Sequence, residues 1–162
     1  MQGRPSQNSK MIFVAGAKDY QSAAPTAEWI CMKNAERIRY VVNVGVANAS
    51  TVSAAITFTQ ATSDGGTPAA LAFTKFWKIS GGTTTAGGET CTETTAASTY
   101  TILTGDAQSL LVFEFKASDL NRTSGYDWIT INVATASAHA LLYSITAEVF
   151  GLSYGAGATF LT

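Results

Sequence analysis

Arg37-Ile38-Arg39-Tyr40-Val41-Val42-Asn43-Val44-Gly45-Val46 is the stretch that decides the fold class. Ile38, Tyr40, Val42, Val44 and Val46 alternate with Arg37, Arg39, Val41, Asn43 and Gly45, so the apolar period is two and the segment reads as a strand with one apolar face. Asn48-Ala49-Ser50 then predicts a turn. Beyond it Val52, Ala54, Ile56 and Phe58 alternate with Thr51, Ser53, Ala55, Thr57 and Thr59, which gives an apolar inner face and a small, hydroxyl-rich outer one. Asp64-Gly65-Gly66-Thr67-Pro68 closes this strand with residues that supply positive φ and interrupt a ladder.

Outward from this pair the same period recurs. Strands are predicted over residues 72–79, with Phe73, Phe76, Trp77 and Ile79, and over residues 99–103, with Tyr100 and Ile102 on one side. Three more follow, at 110–116, 127–133 and 141–149. Helix is scarce: single turns are expected over residues 117–121, at a sheet corner, and over 21–27, where Pro25 interferes. About eight short strands separated by Gly, Ser, Asn and Asp turns predict an all-β protein, a β-sandwich or jelly-roll-like barrel. Its expected organisation is an N-terminal arm and first strand over 1–27, a sandwich domain over 28–150 and a C-terminal arm over 151–162. The Gly-rich run 80–88 has no side chain able to build a core and reads as an exposed excursion.

Composition narrows the function classes. Only 13% of the 162 residues are charged, against about 25% in an ordinary soluble domain, and there is one histidine. Such a chain has few groups that move protons or hold metals, so it reads as a structural or binding protein rather than an enzyme. A net charge of −1 offers no electrostatic footprint for nucleic acid. No segment approaches the roughly 20 apolar residues of a membrane span. The start of the chain, where Arg4 and Lys10 precede Met11-Ile12-Phe13-Val14-Ala15, reads as an arm leading into a strand rather than a signal peptide.

Each candidate constellation lacks parts. Cys31 and Cys91 have no companions at metal-ligand spacing and read as two buried free thiols; no metal or cofactor is expected. His139 lies beside Ser137 without a nucleophile elbow. Asp64, Asp106, Asp119 and Asp127 fall where turns and strand ends favour Asp. The run 81–88 lacks the Lys-Ser/Thr of a phosphate loop. Asn48-Ala49-Ser50 and Asn121-Arg122-Thr123 match the glycosylation triplet, which matters only in a secretory compartment. The aromatics Trp29, Trp77, Trp128, Tyr126 and Tyr154 remain as candidate ligand or interface residues, with packing as the simpler role. Trp128 alternates with Ile129, Ile131 and Val133, so this strand is expected to need cover on both faces, from a second sheet or a neighbouring subunit.

Two stretches carry a resemblance. The first runs through Glu28-Trp29-Ile30-Cys31-Met32-Lys33-Asn34-Ala35, the Val-rich strand, and Ile56-Thr57-Phe58-Thr59-Gln60-Ala61-Thr62. The second joins Phe113-Glu114-Phe115-Lys116-Ala117-Ser118-Asp119-Leu120 to Gly125-Tyr126-Asp127-Trp128-Ile129-Thr130-Ile131-Asn132-Val133 and Leu141-Leu142-Tyr143. Over residues 28–150 the chain resembles small virion structural proteins of tailed bacteriophages, of the capsid decoration or cement type. The resemblance implies a protein on the outer capsid surface, assembled in the host cytoplasm, whose partners are the major capsid protein and copies of itself as a homo-oligomer. It brings no catalytic residues. The alternative expectation is a carbohydrate-binding module of a head fibre or tail component.

Overall fold

The structure is a computed structural model. It describes residues 9–20, 23–26, 28–47, 53–80, 91–94, 98–103, 106, 108–134 and 141–152. The predicted turn at 48–50, the Gly-rich run 81–88, Ser137, His139, Tyr154 and the outer parts of both arms lie outside these residues, as does the Cys91 side chain.

Two antiparallel sheets stack as a β-sandwich. The strands are β1 (Ser9–Asp19), β2 (Ile30–Cys31), β3 (Arg37–Ala47), β4 (Ser53–Ala61), β5 (Ala69–Leu71), β6 (Phe76–Ser80), β7 (Cys91–Thr94), β8 (Thr99–Leu103), β9 (Ser109–Lys116), β10 (Trp128–Val133) and β11 (Leu141–Phe150). One sheet has the order β1-β11-β3-β9-β6-β7. The other runs β2-β10-β4-β5, and β8 joins β4 further along the edge that β5 occupies. Strands β3, β4, β9, β10 and β11 follow the predicted alternation; of the strand predicted over 72–79 only the part from Phe76 is extended, in β6, and residues 72–75 connect it to β5. The additional strands β2, β5 and β7 hold two, three and four residues, too few for a period to show in sequence.

Side chains of alternate parity meet between the sheets. Ile38, Tyr40, Val42 and Val44 of β3 face Ala54, Ile56 and Phe58 of β4, with Leu111, Phe113 and Phe115 of β9 beside them, all nearly inaccessible. Phe58 sits at the centre of an aromatic cluster, its ring centroid 4.7 Å from Phe115, 5.1 Å from Phe113, 5.5 Å from Tyr40 and 5.6 Å from Phe73. Tilted and edge-on ring pairs of this kind add to the burial of apolar area. The N-terminal strand belongs to the same core through Ile12, Val14 and Ala15. It is the first strand expected within residues 1–27, and it begins at Ser9.

The turn predicted over 117–121 is a 3-10 turn, Ala117–Asp119, at the corner after β9. Over 21–27 the described residues, 23–26, are not helical. A second 3-10 turn, Arg122–Ser124, is capped by the Asn121 side chain and ends on Gly125 in the left-handed region (φ 78°). Arg122 fastens this corner: it donates to the Ala117 and Met32 carbonyls at 3.2 and 2.9 Å and pairs with Asp127. The chain is thereby aimed into β10.

Candidate functional site

Strand registers decide which side chains share each outer face. On the six-stranded sheet, Trp77 of β6 lies opposite Val112 of β9, Val112 opposite Val41 of β3, Val41 opposite Thr146 of β11, and Thr146 opposite Phe13 of β1. One row, apolar but for a threonine, thus crosses five strands, about 19 Å at the usual interstrand spacing. Ile79 and Leu110 extend it on one flank. Trp77, Ile79, Leu110, Val112 and Val41 are half-buried, whereas Met11 and Phe13 are 70% and 72% exposed.

The other flank of this face carries charge that is largely neutralised within it. Met11, Glu148, Arg39 and Glu114 form the next row, and Phe150, Arg37 and Lys116 the row after. Glu114 accepts from Arg37 and Arg39, each at 3.3 Å. Both guanidinium groups also lie over the Phe150 ring, 4.7 and 5.1 Å from its centroid.

The outer face of the five-stranded sheet is of a different kind. Thr57, Thr59, Thr99, Thr101, Thr130 and Asn132 share it by register, and Asn132 donates to the Thr59 hydroxyl at 3.1 Å. This is the hydroxyl-rich face legible in the alternation of β4. Trp128 stands at its end, opposite Ala61 on one side and Cys31 on the other. Cys31 is a free thiol and half-buried rather than buried.

The four candidate aromatics among the described residues do not converge on one site. Trp77 lies on the six-stranded sheet; Trp128 lies on the opposite face of the sandwich, with Tyr126 and Trp29 in the segments that lead into β10 and β2. These four are half-buried. The cover expected for β10 from a neighbour comes in part from the chain itself: Thr130 is inaccessible and donates to the Glu28 carbonyl at 2.8 Å. Strands apolar on both faces occur instead in the six-stranded sheet, in β6 and β9. Sequence reading passed over Met11 and Phe13 as an outward pair. Their signal was present, since Met11 and Phe13 alternate with Ile12 and Val14 and all four are apolar, the pattern of a strand with two sticky faces.

Ionisable groups in the interior are held by structural contacts. Asp106 pairs with Lys78 and accepts from the Leu103 amide at 2.8 Å, tying the segment after β8 to β6. Burial pushes the phenols of Tyr40, Tyr100 and Tyr143 well above the usual tyrosine range; for Tyr100 the charge of Asp106 and a hydrogen bond to it add to the effect. Among the described residues no group of three His, Cys, Asp or Glu side chains is placed to hold a metal ion. An open groove of ≈350 Å³ runs between β1 and residues 23–26 and Glu28, with Lys18 and Glu28 on its walls.

No family model and no curated protein matches the sequence. Among solved structures, the chain is similar to the SPBc2 prophage-derived protein YomS, with 10% identity, a TM-score of 0.46, and coverage of 88% of this chain and 92% of that one. It is also similar to chains in structures of infectious bursal disease virus: the Gx strain (10% identity, TM-score 0.27) and the Gt strain (12%, 0.23). There it covers 90% and 95% of its own length but 40% and 44% of theirs.

Proposed function

We propose that this protein is a structural component of a phage virion, a decoration protein that binds the outer shell and bridges capsid subunits, associating with copies of itself. The observation that carries the reading is the outer face of the six-stranded sheet: an apolar row across five strands that ends at the highly exposed Phe13 of an edge strand, with the equally exposed Met11 beside it on the same strand. Large apolar faces rimmed by charge mark protein contact surfaces. Desolvating this one costs little, because its guanidinium groups already have carboxylate and aromatic partners. The low charge content and the sequence resemblance to decoration proteins agree with that use. Such a protein acts by linkage, since what binds only the assembled shell favours it. The reading assigns no catalysis and no cofactor, and it locates the protein on the virion's outer surface after assembly in the host cytoplasm.

Purified expanded heads lacking this protein test the reading. They are expected to lose integrity on heating or at low ionic strength, and to regain it when the protein is added back. Heads that survive equally well without it sink the cementing role. Copy number per particle, measured by mass against the major capsid protein, is expected to approach shell stoichiometry.

A second reading has one observation in its favour: the hydroxyl-rich outer face of the five-stranded sheet, with Trp128 at its end, offers a ring for stacking and donors for sugar hydroxyls. It predicts that Trp128→Ala abolishes glycan binding while the fold persists. A glycan array with no binder removes it.

A further inference from the structure

We propose that two copies of this chain pair along β1, edge strand to edge strand about a twofold axis, with Met11 of each copy set against Phe13 of the other. The proposal rests on the reading that copies of the chain associate, and it adds which edge they use and in what register.

The strand β1 lies at one end of the six-stranded sheet. From Ser9 to Phe13 it pairs with β11 without interruption, and only after Phe13 does the register shift, between Phe13 and Ala15 and again before Lys18. Bulges twist a strand out of the plane in which another strand can join it, and they are one of the ways an edge is protected. Here they protect the second half of β1. The first half is regular, and its outward side chains at Met11 and Phe13 are the most exposed large apolar groups among the described residues. A regular edge with exposed apolar side chains is a template for strand addition.

The occupant follows from the chemistry of the strand. In an antiparallel pair, residues directly opposite share a face. A twofold join therefore keeps Met11 and Phe13 on the outer face only in registers where outward residues meet outward residues. Setting Met11 against Met11 leaves Phe13 opposite Ser9. Setting Phe13 against Phe13 drives the join into the bulge before Ala15, and centring it on Val14 brings Lys10 against Lys18. With Ile12 on the axis, Met11 meets Phe13 twice within the uninterrupted part of the strand, and the paired stretch ends where Lys10 falls opposite Val14, at the first bulge. The four side chains then form one apolar cluster at the seam where the two sheets meet. A second copy supplies a strand of matching length, hydropathy and register, so this edge is complementary to itself. Pairing over five residues covers less than the about 800 Å² per partner of a tight complex, so the dimer is concentration-dependent.

Sedimentation across a concentration series is expected to show a monomer–dimer equilibrium. Met11→Lys with Phe13→Lys is expected to raise the dissociation constant at least about tenfold, without loss of folded signal, since both side chains point to solvent. For the register, Met11→Cys and Phe13→Cys chains, each carrying Cys31→Ser and Cys91→Ser, are oxidised separately and mixed. The mixture is expected to form the disulfide-linked dimer in higher yield than either chain alone. A dimer that persists in the double-lysine variant overturns the edge assignment and leaves the assembly reading standing. Preferred cross-linking of one cysteine chain with itself overturns the register. A chain that stays monomeric throughout, while still binding heads, overturns the pairing alone; one that does neither overturns both readings.

Discussion

Phe58 shows how one side chain holds the sandwich together. It projects from the middle of β4 into the ring cluster of Tyr40, Phe73, Phe113 and Phe115, contributed by β3, β9 and the chain between β5 and β6. Phe58→Ala is expected to cost about 3–5 kcal/mol, because the rings on β3 and β9 of the facing sheet are held by their own strands and collapse incompletely into the space. That lowers the melting temperature by roughly 10 °C for a chain of this size, readable by calorimetry. The buried phenols make a second residue-scale prediction. Tyr40, Tyr100 and Tyr143 ionise near pH 10 in an unfolded chain but well above that in the fold. The fold therefore favours the neutral phenol; this stabilisation is complete below about pH 10 and is lost as pH rises beyond it. Alkaline titration followed by phenolate absorbance is expected to show these tyrosines ionising only as the protein unfolds, and Tyr40→Phe is expected to flatten the loss of stability above about pH 10. Early, reversible ionisation of all the tyrosines would contradict their burial.

At the scale of elements, the strand ends matter more than the strand interiors. Gly125 ends the second 3-10 turn at φ 78° with open space where a side chain would go, so Gly125→Ala carries only the backbone cost of the left-handed region, about 1–2 kcal/mol. Gly151, directly after β11, has φ 65° and sits against Glu36, whose amide donates to the Phe150 carbonyl at 2.9 Å. A methyl there overlaps the Glu36 side chain, so Gly151→Ala is expected to lose more stability than Gly125→Ala in urea unfolding. Equal losses would mean that the close approach relaxes freely. The elements that escaped sequence reading are those whose existence depends on a neighbour. The two residues of β2 are a strand because β10 offers Trp128 and Ile129 as partners, and β7 exists through its pairing with β6.

Across the whole molecule, consecutive strands mostly change sheets, and β1 pairs with β11, so the first and last strands are neighbours. Both edges of β11 are thereby filled, by β1 and β3. The same arrangement puts β1 at the rim of the apolar face. Association through that face is expected to hold or strengthen between low ionic strength and about 1 M salt, where the Debye length falls to about 3 Å. Its driving force is apolar burial, and its guanidinium groups are paired within the chain. Head binding measured across a salt series checks this; a steep loss with salt would assign the contact to the Arg37, Arg39 and Glu114 cluster instead.

The alternation of apolar and polar residues determined by itself that this chain is all-β, which strands have an apolar inner face, and that the outer face of β4 is a field of hydroxyls. Those properties are local: a period of two fixes the side to which each residue points, whatever the strand pairs with. Only the tertiary structure decided that Val41, Val112 and Trp77, on three separate strands, fall in one row. It decided too that Trp77 and Trp128 stand on opposite faces and that Thr130 is covered by the chain's own Glu28 segment. Register and strand order join residues far apart in sequence, and no local pattern records which of several compatible strands will lie alongside.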